Sequence, residues 1–169
     1  MSTFKLDPEA RPDLADFLRE LKNTEARFLV VGAYAVMSHT QKARATKDLD
    51  LFVDGTDDNL RLVAKAMGRF GAPTHLCSVE ALRPHADAKF SGVFFGLAPD
   101  RIDILSKMAL AFDELELRLV EFDMAGQQIP VASQSDLMAL KRLALEDDPT
   151  RKNDRADLKA LEALRTRSR

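Results

Sequence analysis

Residues 28–53 constrain the fold more than any other part of the chain. They begin with a short apolar run, Phe28–Val31, and continue through Gly32 into a stretch of helical composition. A second run, Asp48–Val53, starts as an alternation of carboxylates and leucines. A short apolar run that ends at a glycine is typical of a buried strand, and alternation is typical of a strand with one face in the core. The segment therefore predicts strand, turn, helix and strand, as in a sheet with helices packed on it.

The second predicted strand carries two carboxylates on one face. Because side chains alternate along a strand, Asp48 and Asp50 project from the same face and Leu49 projects from the other. Two neighbouring carboxylates repel each other unless a cation neutralises them or one of them takes up a proton. A bound divalent metal is the simplest resolution, so the sequence predicts a metal site on this strand.

A third acid is expected on a later strand. Asp103 lies between Ile102 and Ile104 in the predicted strand 101–105, so it points away from that strand's apolar face. The same alternation is also the ordinary pattern of a solvent-facing strand surface. Magnesium, or manganese in its place, takes oxygen ligands and keeps several waters, so a few carboxylates plus substrate phosphates are a sufficient site. Asp103 is therefore the candidate third ligand.

Several residues around the carboxylates are candidates for phosphate binding. Gly32 lacks a Cβ and precedes a helix, which lets a phosphate approach the helix N-terminus. Arg44, Thr46 and Lys47 precede the two carboxylates and are expected near a triphosphate, although polar loops before strands commonly have this composition. Lys141 shares the apolar stripe of a predicted helix, where it either reaches a phosphate or lays its stem along apolar surface.

The remaining pattern predicts helices at both ends of the chain. An apolar stripe predicts a helix from Pro12, a second helix ends at Gly71, and 75–89 is expected to be loop with helical pieces. Residues 91–96 and 101–105 predict a hairpin, and 115–122 with 127–131 predict another, although 115–122 is equally compatible with a helix.

The C-terminal part of the chain is predicted to be helical. Ser133 is expected to cap one helix, and Asp154 with Asp157 to mark the start of the last. We therefore expect residues 1–132 to form a core with an N-terminal helix, and residues 133–169 to be a C-terminal helical extension of the same domain.

Composition narrows the class of protein. The net charge of −2 argues against a surface that coats nucleic acid, although residues 151–169 carry a local balance of +4. The only cysteine, Cys77, excludes an intrachain disulfide, and neither a signal segment nor a membrane span is apparent. We expect a cytoplasmic protein of one domain with no membrane association.

The motif around the two carboxylates resembles a known superfamily. Gly32-Ala33-x-Ala35, followed by Arg44-x-Thr46-x-Asp48-Leu49-Asp50, is similar to the signature of nucleotidyltransferases with the DNA polymerase beta-type fold. The similarity is closest to the minimal bacterial group, which includes antibiotic nucleotidyltransferases and members of toxin–antitoxin and phage-abortive systems. It covers about 28–105, and Leu140-Lys141 with Asp154-x-x-Asp157 resemble the group's C-terminal helices. The resemblance implies an α+β fold, a mixed sheet with helices packed on it plus C-terminal helices.

The resemblance also implies roles for individual residues. Asp48 and Asp50 would be metal ligands, Asp103 the third acid that helps to activate an acceptor hydroxyl, and Gly32 part of the triphosphate cradle. Ala33 stands where the family usually has a second Gly or Ser, but its backbone amide remains, so the resemblance implies that Ala33 still binds the nucleotide, though more weakly. The spacer before Asp48 is slightly longer than usual.

The implied reaction is metal-dependent transfer of a nucleoside monophosphate from a nucleoside triphosphate to an acceptor hydroxyl, with release of pyrophosphate. The acceptor, whether a tRNA end, a protein side chain or a small alcohol, stays open. One alternative is a catalytically weak or inactive nucleotide-binding module, such as one partner of a toxin–antitoxin pair. Another is a structural domain whose acids are surface decoration.

Overall fold

The computed structural model describes residue 9 and residues 11–167, with side chains up to residue 164. Its strands are β1 (Phe28–Val31), β2 (Asp48–Val53), β3 (Ser91–Phe95), β4 (Arg101–Lys107), β5 (Val120–Met124) and β6 (Gln127–Val131). Its α-helices are α1 (Pro12–Asn23), α2 (Gly32–Thr40), α3 (Asp57–Phe70), α4 (Val79–Leu82), α5 (Phe112–Glu116), α6 (Gln134–Asp147) and α7 (Lys152–Arg167). Within the described residues, no helix is both long and apolar enough to cross a membrane.

All six strands belong to one mixed sheet. Its spatial order is β3-β4-β2-β1-β6-β5. The pairs β2–β4 and β1–β6 are parallel, whereas β1–β2, β3–β4 and β5–β6 are antiparallel. The predicted α+β class with a mixed sheet is confirmed.

The pairing of β2 with β4 brings the predicted acids together. In the parallel register Asp48 lies opposite Arg101, and Asp50 lies opposite Asp103. Because ladder partners point to the same side of a sheet, these four side chains share one face, which we call the acid face. The residues that alternate with them point to the opposite face and are buried there: Leu49, Leu51, Ile102 and Ile104.

Helices cover both faces of the sheet. On the apolar face, α1 packs against α3, and the ring of Phe17 contacts the rings of Phe70 and Phe95 at centroid distances of 5.2 and 5.4 Å. Beside the acid face, α2, α6 and α7 pack against one another. Apolar burial on one face thus supports a polar cleft on the other.

Two predicted segments differ in detail from the structure. Residues 115–122 are divided between the end of helix α5 and the start of strand β5. Phe112 and Leu115 lie one helical turn apart, so the short helix buries both, whereas the strand begins only at Val120. Helix α7 begins at Lys152, slightly before the predicted start, so that Asp154 lies in its first turn and Asp157 lies further along the helix. Both carboxylates are buried within the helix, where they have ionic partners.

Candidate active site

A polar cleft of about 720 Å³ lies between the acid face, the start of α2 and the last two helices. All of the predicted site residues line it: Gly32, Ala33, Arg44, Thr46, Lys47, Asp48, Asp50, Asp103 and Lys141. The structure therefore brings together residues from three separate stretches of the chain. Three more charged side chains that sequence reasoning did not select also line the cleft: Arg101, Arg151 and Asp154.

Gly32 is placed directly against Asp50. Its φ of +65° lies in the left-handed region, and a Cβ at this position would lie 2.0 Å from Oδ2 of Asp50. A side chain larger than hydrogen would therefore displace the carboxylate as well as strain the backbone. Room for a phosphate was the reason for selecting Gly32 from the sequence. The structure shows a second reason why this position requires glycine, because the Asp50 carboxylate packs directly against it.

Asp50 is the most electrostatically perturbed acid of the cluster. Burial, and then the charges of Asp48 and Asp103, raise its pKa from 3.8 to about 7. Lys141 and Arg101 act in the opposite direction but do not offset this effect. Near neutral pH the carboxyl is therefore poised between its protonated and ionised forms, and a nearby cation would favour the ionised form.

Arg101 neutralises part of the acid cluster. Its Nε and Nη2 donate to the two carboxylate oxygens of Asp103 at 2.7 and 2.6 Å, and Nη2 lies 3.5 Å from Oδ2 of Asp48. The guanidinium also lies over the ring of Phe94, 4.7 Å from its centroid. Sequence reasoning missed Arg101, although its position two residues before Asp103 on one strand places both on the same face.

The donor chemistry of the cluster suits a divalent cation, because oxygen ligands on one sheet face are what magnesium binds. The mutual repulsion that raises the pKa of Asp50 would also be relieved by such an ion. As they stand, however, no three acidic, histidine or cysteine side chains among the described residues converge as a metal site. Arg101 occupies both oxygens of Asp103, so a cation shared by the three acids requires its guanidinium to move.

A second charged cluster joins α2–β2 to the C-terminal helices. Nζ of Lys141 lies 2.5 Å from Asp154 and 2.9 Å from Asp157, and Arg44 donates to both oxygens of Asp157 at 2.8 Å. We call these four residues the buried ion cluster, since the side chains of Lys141, Asp154 and Asp157 are 11, 8 and 3% exposed. Burial acts to raise the pKa of Asp157, but Arg44 and Lys141 outweigh it and lower the pKa.

Several of the predicted phosphate-binding residues already have partners within the protein. Arg44 and Lys141 face the cleft while bound to carboxylates, and the Thr46 hydroxyl donates to Oδ1 of Asp48 at 3.3 Å. Lys47 is exposed at the cleft. Arg151, whose Nε lies 2.6 Å from Oδ2 of Asp154, adds a half-exposed cation. Positive side chains therefore line the cleft beside the acids, between α2 and β2, on α6 and just before α7.

Comparison with known proteins agrees with this geometry. The family described as "Nucleotidyl transferase AbiEii toxin, Type IV TA system" matches residues 16–164. Among solved structures, the antibiotic-resistance factor ANT(2'')-Ia is similar with a TM-score of 0.61 and 12% identity, over 92% of this chain and 83% of that one. No match was found among curated proteins. The chain therefore shares its fold with ANT(2'')-Ia, and it belongs to the AbiEii family of nucleotidyltransferase toxins of type IV toxin–antitoxin systems.

Proposed function

We propose that this nucleotidyltransferase transfers a nucleoside monophosphate from a nucleoside triphosphate to an acceptor hydroxyl and releases pyrophosphate in a magnesium-dependent reaction. The observation that carries the proposal is the register of β2 and β4, which sets Asp48, Asp50 and Asp103 side by side in one polar cleft. Asp48, Asp50 and Asp103 would hold the cation. A bound magnesium ion would neutralise charge on the phosphates and help to align the reacting groups.

In the proposed reaction, the oxygen of the acceptor hydroxyl attacks the α-phosphorus. The bond between the α-phosphorus and the oxygen that bridges it to the β-phosphorus breaks. Asp103 accepts the hydroxyl proton, and pyrophosphate is the leaving group. For this step Arg101 has to release Asp103, since its two hydrogen bonds occupy both carboxylate oxygens. Catalysis of this kind depends mainly on positioning and on stabilisation of developing charge.

The remaining cleft residues would bind the triphosphate. Backbone amides at Gly32 and Ala33 lie at the start of α2, where the helix dipole favours an anion. Thr46 and Lys47 line the same cleft. Arg44 and Lys141 would act through charge while they remain bound to Asp157 and Asp154. Magnesium is the proposed ion, and manganese is its natural substitute in binding experiments.

Membership of a toxin–antitoxin family suggests a cognate antitoxin as a further partner. The acceptor class, whether tRNA, protein or small molecule, is open to a direct assay. Purified protein, Mg²⁺ and nucleoside triphosphates labelled at the α-phosphate are incubated with cell extract. Loss of the label after ribonuclease treatment identifies an RNA acceptor, and loss after protease treatment identifies a protein acceptor. A label that survives both treatments identifies a small molecule.

The variants Asp48→Asn and Asp50→Asn test the proposed role of the acids. Both are expected to lower transfer and pyrophosphate release at least ~100-fold, since loss of one preorganised electrostatic contact costs about that much. Asp58→Asn is the matched control, because Asp58 is exposed on α3, where it pairs with the nearby Arg61. Nucleotide binding without release of pyrophosphate would instead identify a nucleotide-binding module.

A further inference from the structure

We propose that a small apolar cavity beside Asp50 receives the nucleobase of the donor nucleotide. The inference rests on the proposed function, and the cavity is the part of the structure that it concerns. The cavity, about 270 Å³ in volume, opens between the acid face and α6. It meets the polar cleft at shared residues, among them Gly32, Asp50 and Lys141. A single elongated ligand can therefore occupy both spaces and pass Asp50.

The two spaces differ sharply in chemistry. Beyond the shared polar boundary, the walls of the small cavity are apolar, formed by Val31, Leu105, Met108, Leu137, Leu140 and Ala144. Phe90, which is 46% exposed, also lines the cavity. A phosphate placed there would lose hydration without compensation, whereas a planar ring would lose little and would gain contacts. The occupant is therefore expected to be a flat, weakly polar group.

Size also separates the two spaces. Pockets for drug-sized ligands are about 300–1,000 Å³, so the smaller cavity suits a ring system and not an entire nucleotide. The polar cleft, at about 720 Å³, has room for a triphosphate. A nucleoside triphosphate has these two parts, a charged chain and an apolar ring, joined through a sugar.

The position of Asp103 favours the donor base over the acceptor as the occupant. Asp103, proposed to take the proton of the acceptor hydroxyl, lines the polar cleft but not the small cavity. The acceptor is therefore expected on the Asp103 side of the α-phosphate. The small cavity lies on the Asp50 and Lys141 side and is therefore left for the rest of the donor.

An ion pair links two segments that line the cavity. Nζ of Lys89 donates to Oδ1 of Asp147 at 2.7 Å, which connects the segment before β3 to the end of α6. Phe90 and Ala144 are close in sequence to the two ends of this contact and both line the cavity. The contact is exposed, so it contributes little to stability, but it shows that the segment carrying Phe90 lies next to the end of α6.

The test fills the cavity and compares two ligands. Ala144→Phe places a ring in the apolar space, and Ala156→Phe, at an exposed site on α7 outside the cavity lining, is the matched control. Binding of each of the four ribonucleoside triphosphates and of inorganic tripolyphosphate, all with Mg²⁺, is measured by calorimetry. Ala144→Phe is expected to weaken nucleotide binding about tenfold, the scale of one base stacking contact, and to leave tripolyphosphate binding unchanged. Ala156→Phe is expected to change neither.

A second variant covers the case in which Ala144→Phe does not fold. Leu140→Ala removes part of the wall and is expected to weaken nucleotide binding by a smaller factor, again without effect on tripolyphosphate. Equal losses for both ligands, or no loss for nucleotides, would overturn the proposal. Reduced transfer with unchanged nucleotide affinity would assign the cavity to the acceptor and also overturn it. If the wild type binds neither ligand, the proposed function itself fails.

Discussion

The guanidinium of Arg101 and the carboxylates of Asp48 and Asp103 share one corner of the cleft. A divalent cation that uses these acids has to compete with a bidentate ion pair, and hydrogen bonds between charged groups are the stronger ones in proteins. The Arg101 side chain is 36% exposed, so solvent weakens its hold. Arg101 is therefore a replaceable counter-ion for the acids.

Replacing this counter-ion is expected to favour cation binding. We predict that Arg101→Gln binds Mn²⁺ roughly three- to tenfold more tightly than the wild type, because the acids lose a competing positive charge. Calorimetric titration at constant ionic strength measures the change. Arg83→Gln is the control, since Arg83 pairs with Asp57 on the surface outside the cleft. Unchanged or weaker binding by Arg101→Gln would show that the arginine does not compete with the ion.

The raised pKa of Asp50 predicts how stability depends on pH. Its pKa is 3.8 in the unfolded reference and about 7 in the folded protein. Between these values the folded state retains a proton that the unfolded state has lost, so this group's contribution to stability declines as the pH rises through the window.

Asp50→Asn removes this ionisation. In metal-free buffer at pH 8 we expect its Tm to exceed that of the wild type by about 2–5 °C, with the difference vanishing towards pH 4. Differential scanning fluorimetry across this pH range, with Asp58→Asn as the exposed control, provides the measurement. A Tm difference that grows on acidification has the opposite sign and would contradict the assignment.

At the scale of elements, the buried ion cluster holds α7 against α6 and the segment before β2. Asp157 has two cationic partners and is only 3% exposed. Breaking a buried pair leaves uncompensated charges, which is far more costly than breaking an exposed pair. The position of the C-terminal helices therefore depends on this carboxylate.

The same two helices supply a matched comparison. Asp157→Ala is expected to lower the free energy of unfolding by about 3 kcal/mol, because Arg44 and Lys141 lose a buried partner. Glu162→Gln, which breaks an exposed contact between Arg142 on α6 and Glu162 on α7, is expected to cost less than about 1 kcal/mol. Urea titrations of both variants test this contrast, and equal losses would refute it.

Elements with a clear period were predictable from the sequence. The stripe after Pro12 and the alternation in β2 and β4 each have a periodicity that local physics imposes. The strand before Gly32 is instead a continuous apolar run that ends at a glycine. Residues 115–122 were ambiguous because α5 is a short helix that leads into a strand. The spatial order of the strands depends on long-range pairing, which periodicity alone does not contain.

Some residues of the candidate site were likewise predictable from the sequence, and others were not. Asp48, Asp50 and Asp103 followed from alternation and a motif, and the structure places them together. Arg101 is the ladder partner of Asp48, a relationship that appears only once β2 and β4 are paired. Asp154 lies in the first turn of α7, as its local sequence indicates, but the ion pairs of Asp154 and Asp157 with Lys141 and Arg44 appear only in the packed structure. The metal and phosphate roles of these residues remain predictions.

At the scale of the whole molecule, the acids lie on β2 and β4, whereas the phosphate-facing cations lie between α2 and β2, on α6 and just before α7. A ligand in the cleft therefore contacts both the sheet and the C-terminal helices. Residues 133–169 were predicted to be an extension of one domain, and that division remains a prediction. A ligand that bridges these parts should stabilise the molecule as a unit, because it binds only the folded state.

The corresponding prediction concerns ligand and metal together. A nucleoside triphosphate with Mg²⁺, at about 100 times its dissociation constant, is expected to add about 2.7 kcal/mol and to raise Tm by roughly 5–10 °C. Either component alone should give a smaller shift. Asp48→Asn is expected to abolish most of the combined effect, and Asp58→Asn to retain it. A shift that survives in Asp48→Asn would place the nucleotide elsewhere.

The register between β2 and β4 decides which face of the sheet carries Asp103. Because neighbouring residues of a strand face opposite sides, a slip of β4 by one position would turn Asp103 inward and bring an isoleucine among the carboxylates. The place of the third acid in the cleft therefore depends on the register of the β3–β4 hairpin against β2, and not on local sequence alone.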